Sequence, residues 1–115
     1  MRKTEVKSDR EKFDVEVAES FISKSWGLSL RSSGRMLFVF NRNTGAKVDM
    51  MLLSKPLHLY FLDSEKKVIE KQKAEPWKFD PRTWKLYSPE NKYRYLLESF
   101  ERLEIGEGDK LEFEV

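Results

Sequence analysis

The chain has 115 residues, room for one small domain and no second. Hydrophobic residues make up 39% and charged residues 37%, too apolar a mixture for disorder, and no apolar run is long enough to cross a bilayer. Zero cysteines exclude a disulfide scaffold, a thiolate zinc site and a cysteine nucleophile, and one histidine leaves no imidazole metal cage.

The formal net charge is +2, but it is unevenly spread. Between Lys71 and Tyr95 seven basic side chains (Lys71, Lys73, Lys78, Arg82, Lys85, Lys92, Arg94) face three acidic ones. From Glu98 to Val115 the balance reverses, with only Arg102 and Lys110 against seven carboxylates. Such asymmetry gives either a basic face for a polyanion or two stretches that neutralise each other. Abundant Lys and Glu with few Asn and Gln point towards a thermophile. The amino terminus lacks an apolar stretch, so no secretory signal is expected and a cytoplasmic location is the default.

In chain order, residues 1–12 are polar and read as a loose arm, leaving 13–115 as the folded domain. Phe13-Asp14-Val15-Glu16-Val17 alternates strictly, as a strand with one buried face does. A short helix is expected next: Ser20 can cap it, Ile22 and Trp26 share a side, and Gly27 supplies the left-handed stop. Met36 to Phe40 is continuously apolar, which suits a strand covered on both faces. Strands are predicted at 47–53, at 57–62 and at 67–71, the last two joined by Asp63-Ser64-Glu65-Lys66 as a hairpin. Pro76, Pro81 and Pro89 make 74–91 mostly loop, with a strand at 83–87. Tyr93, Tyr95 and Leu97 form one side of a further strand, 99–103 can turn once as helix, and Leu111, Phe113 and Val115 point inward in a last one. Seven or eight short strands with little helix indicate an all-β fold, an antiparallel β-sandwich or a barrel.

Several pieces then fall into a recognisable order. Val15-Glu16-Val17-Ala18, Trp26-Gly27-Leu28 with Arg31 after it, and Gly34 to Phe40 come first. Pro56-Leu57 with Phe61-Leu62-Asp63, Ala74-Glu75-Pro76, Tyr87-Ser88-Pro89, Tyr93 to Glu98 and Gly108-Asp109 follow. In this set the chain resembles the family of domain of unknown function 192, from about Phe13 to Val115. The resemblance implies a jelly-roll-like sandwich with a short helix after the first strand, and it implies no activity. The chain departs from the family pattern at three positions: Asp49, Leu52 and His58 stand where the family usually shows a tryptophan, an amide and a carboxylate.

Four features bear on chemistry. His58 shares a strand face with Tyr60 and Leu62, and as a general base it would need a carboxylate, for which Asp49 is nearest if their strands pair. Asp14, Glu16 and Glu98 are strand carboxylates, a pattern that usually marks a solvated face. Gly106-Glu107-Gly108-Asp109-Lys110 has neither the following helix nor the Lys-Ser/Thr ending of a phosphate loop, so its glycines serve a turn, and no cofactor or metal motif is present. The loop with Trp77, Lys78, Phe79, Arg82, Trp84, Lys85 and Tyr87 is the distinctive surface, because aromatic faces stack bases or sugars and cations hold phosphates. Its aromatics can equally roof the core.

The expectation is a non-catalytic domain binding an unknown small molecule or peptide, in a groove between this loop and the sheet face carrying Asp49 and His58, with Arg31 at its edge. The rivals are a hydrolase or isomerase using Asp49 with His58, and a nucleic-acid module using residues 71–87. A monomer and a dimer paired through an exposed strand edge both fit.

Overall fold

The computed structural model describes residues 2–19, 33–51 and 53–115. It contains six strands: β1 (Lys3–Lys7), β2 (Lys12–Ala18), β3 (Arg35–Thr44), β4 (Leu57–Leu62), β5 (Val68–Ala74) and β6 (Tyr93–Ser99). They form one sheet in the order β1-β2-β3-β6-β4-β5. The helix expected from Ser20 to Gly27, and Arg31 with it, lie outside the described residues. The only helical element among the described residues is a 3-10 turn at Pro81–Thr83. None of these residues forms a helix long and apolar enough to cross a membrane.

The sheet is mixed, which corrects the expectation of a purely antiparallel one. β2 runs parallel to β3, with Glu16 beside Met36 and Val17 beside Leu37. Residues 19–34 connect the two, a length that a parallel crossover requires. The loose arm is also corrected: Lys3–Lys7 pairs antiparallel with β2, Val6 opposite Phe13, and Val6 is fully buried.

Both faces of the sheet are covered, because β3, β4 and β6 are apolar on both. On one face Met36, Phe38, Leu57, Leu59, Phe61 and Leu96 meet Met50 and Leu53, with Trp77 and Tyr87 packed against them. On the other, Leu37, Tyr60, Leu62 and Leu97 meet Leu103, Ile105, Leu111 and Phe113. The loops thus supply the second layer, in place of several expected strands. Residues 47–53 and 83–87 contribute only the Val48–Tyr87 bridge. Residues 99–103 make no helical turn, and the carboxyl-terminal stretch bridges the sheet only at Lys110 and Glu112.

That stretch touches both edges of the sheet. Lys7 exchanges backbone hydrogen bonds of 2.9 Å with Glu112, while Val68 N–H donates to Asp109 and Gly108 N–H donates to Val68, each at 2.8 Å. Edge strands left open invite pairing with other chains, and this segment occupies part of both. Gly108 makes the turn possible with a φ of 92°, while Asp109 accepts the Gly106 N–H at 2.8 Å. The glycine pair therefore serves turn geometry. The β4–β5 hairpin also forms as expected, closed by Asp63 accepting from the N–H groups of Glu65 and Lys67, with Lys66 at a φ of 66°.

Candidate functional site

Among the described residues, a candidate site grows from the β4–β5 hairpin. Antiparallel register places Lys73 opposite His58 and Lys71 opposite Tyr60. Directly opposed side chains share a face, so the two lysines, the imidazole and the phenol stand together. A third cation arrives from the segment after β6. There the Tyr60 hydroxyl accepts the Leu103 N–H at 2.9 Å, and Lys71 Nζ reaches the Ile105 carbonyl at 3.4 Å. These bonds fix the stretch that carries Arg102. His58, Tyr60, Lys71, Gln72, Lys73 and Arg102 line an open cleft of about 390 Å³.

No carboxylate lines this cleft. Lys73 and Arg102 make no ion pair with a described residue. The charge registers on His58, whose basicity falls below the ordinary 6.5, chiefly through burial and then through Lys73, Arg102 and Lys71. An imidazole held neutral among three cations is a poor cation and a good hydrogen-bond partner. The cleft can bind an anion, which would relieve that repulsion.

Asp49 is elsewhere. It is exposed and accepts the Met51 N–H at 3.2 Å. Its neighbour Met50 is buried in the cluster on the opposite face from Tyr60 and Leu62, the residues that share His58's face. Asp49 is not among the charges that act on His58. The structure therefore does not bring these two together. The Asp49 charge acts instead on Glu98, which sits on β6 opposite Met36 and Leu59 and is only 6% exposed. Burial, reinforced by Asp49, pushes the Glu98 carboxyl up to about 8. Of the three strand carboxylates, Asp14 is exposed and Glu16 partly so, whereas Glu98 departs from the solvated pattern.

The aromatic loop divides between roof and rim. Trp77 and Tyr87 pack on the core, and Tyr87 also accepts the Glu75 N–H at 3.1 Å. Trp84 stacks on Trp77 with centroids 5.9 Å apart, yet it stays 52% exposed. Both indoles are anchored, Trp77 donating to the Lys85 carbonyl at 2.8 Å and Trp84 to that of Lys78 at 2.7 Å. Arg82 is clasped by Asp80 through Nε and NH2 at 2.7–3.1 Å, and the guanidinium holds that carboxyl below its usual range. Trp77 and Tyr87 pack on the face away from His58, and among the described residues the cleft at His58 takes in Lys71 and Lys73 but no residue of the aromatic loop.

Arg102 was the residue the sequence concealed. It stands among Glu98, Glu101 and Glu104 and reads as a counter-charge in an acidic tail. The only signal was its position before Leu103, an apolar residue that docks and carries its neighbour to the sheet.

Comparison with known proteins agrees with this architecture. Residues 3–113 match the DUF192 family, described as an uncharacterized ACR. The chain belongs to that family. Relatives named UPF0127 protein include one from Pyrococcus abyssi, 29% identical and covering 95% of this chain and 93% of the relative. One from Pyrococcus furiosus is 28% identical over 89% of this chain and 88% of its own length. These archaeal relatives fit the thermophile-like composition. Two solved structures share the fold, each with a TM-score of 0.76 over 96% of this chain. One is a protein of unknown function from Novosphingobium aromaticivorans, 22% identical and covered over 83% of its length. The other, from Sinorhizobium meliloti, is described as a putative transcription regulator; it is 20% identical and 92% covered.

Proposed function

We propose that the chain is a non-catalytic binding domain for a small anion, held in the cleft of His58, Lys71, Lys73 and Arg102. One observation carries this reading: three cations and a neutral imidazole line a concave surface with no carboxylate among them. Arg102 supplies planar donors and the lysines supply point charges. We also infer a barrel-like or jelly-roll-like closure of the sheet, supported by the 108–112 segment bonding to both edges. The Sinorhizobium protein's description does not decide between small anions and nucleic acid, since so distant a likeness speaks to fold alone. The separation of Lys71 and Lys73 from the aromatic loop favours the small ligand.

The test is isothermal titration with inorganic phosphate at low ionic strength. Saturable binding is expected, weakened at least tenfold by Arg102→Ala and falling as salt is raised, because charges this exposed are screened. Absence of binding at low salt, or equal binding by the variant, contradicts the reading.

A second reading, acid–base chemistry, is favoured by Glu98 rather than by His58. A carboxyl that keeps its proton up to about 8 can donate it at neutral pH.

A further inference from the structure

The proposed anion cleft has a neighbour. A second open cleft, of about 450 Å³, is lined by Arg10, Lys71, Arg102 and the 103–106 stretch. Lys71 and Arg102 belong to both clefts, so the two hollows adjoin along one basic ridge. Across both, the cations Arg10, Lys71, Lys73 and Arg102 outnumber the one lining carboxylate, Glu104, with the Glu11 charge acting on Tyr60 nearby. Arg10 is held in place by a tight turn. Ser8 N–H donates to the Glu11 carbonyl at 2.8 Å, and the Ser8 hydroxyl accepts the N–H groups of Arg10 at 3.3 Å and Glu11 at 3.1 Å. Two backbone donors lining the second cleft are already used, Leu103 N–H by Tyr60 and Gly106 N–H by Asp109. The side-chain cations Arg10, Lys71 and Arg102 remain on its wall.

We propose, building on the anion reading above, that the site takes a linear small molecule carrying two or more linked phosphate-like groups. One group lies between His58 and Lys73, a second reaches Arg10, and Lys71 and Arg102 clasp the link between them. A lone phosphate fills one hollow only. Linked groups gain from the second hollow because the second contact is intramolecular once the first has formed.

The probes are orthophosphate and linear tripolyphosphate, titrated at matched low ionic strength into the full chain, into Arg10→Gln and into Lys12→Gln. Lys12 is an exposed cation that lines neither cleft, so its variant removes the same charge without touching the ridge. Tripolyphosphate is expected to bind at least tenfold tighter than orthophosphate. Arg10→Gln is expected to cost tripolyphosphate about tenfold, leaving orthophosphate within twofold, and Lys12→Gln is expected to move neither by more than twofold. If tripolyphosphate binds no tighter, or if Lys12→Gln costs it as much as Arg10→Gln, the two-hollow proposal is overturned while orthophosphate binding keeps the simpler reading. If neither probe binds, both are overturned.

Discussion

Glu98→Gln is expected to make the protein more stable at neutral and alkaline pH, and to leave it unchanged near pH 4. The wild-type carboxyl sits at about 8 in the fold against 4.5 for a free side chain, so the folded state holds its proton more tightly. Stability from this group is then greatest below about 4.5, declines as pH rises towards 8, and is flat above, because the folded state binds the extra proton only in that window. The difference amounts to roughly 3 kcal/mol at pH 7 and roughly 5 kcal/mol at pH 9. Glutamine has nearly the shape of the protonated acid and never ionises. Urea denaturation of both proteins from pH 4 to 9 measures the gap directly; a gap that stays constant with pH contradicts the assignment. Asp49→Asn is expected to narrow the wild-type window from above, since the Asp49 charge is the second cause of the raised value.

Phe61→Ala is expected to cost about 3–5 kcal/mol, as removing a fully buried aromatic ring commonly does. Phe61 lies near the carboxyl end of β4 with no exposed surface, and meets the Tyr93 ring edge-on with centroids 4.8 Å apart. Tyr93 in turn meets Phe40 at 5.5 Å and donates its hydroxyl to the Ala46 carbonyl at 2.7 Å. The cavity would therefore loosen the contact that ties the 41–53 segment to the sheet. Against a total stability of roughly 5–15 kcal/mol, a loss this large shifts a urea midpoint by about 2 M. A shift under about 0.5 M would show that the ring is not the keystone its burial indicates.

The parts of the fold legible in the sequence were those where one strand carries its own signal. Met36 to Phe40 is apolar at every position and is covered on both sides. His58, Tyr60 and Leu62 were placed on one face and Leu57, Leu59 and Phe61 on the other, which the two core clusters reproduce for the apolar members. The strand Lys3–Lys7 was invisible because Val6 is its single buried residue, and its pairing with β2 overrides a polar composition. Apolar alternation at 47–53 misled in the opposite direction: Val48 and Met50 do pack inward, but as a covering loop with one bridge. The surroundings of His58 are less legible for a related reason. Periodicity tells which side chains share a face, not which distant segment covers it. Asp49 lies away from His58, and Lys71 and Lys73, which the sequence groups with the aromatic loop, share a cleft with Arg102 from beyond β6.

Proton NMR titration of His58, the sole histidine, is unobstructed by overlap and reads the cleft's charge directly. Alone, the imidazole is expected to titrate below 6.5; saturating inorganic phosphate is expected to raise that midpoint, because an anion offsets Lys73, Arg102 and Lys71. A midpoint at or above 6.5 in the free protein, or one that phosphate leaves in place, would contradict an anion seat at this end of the hairpin.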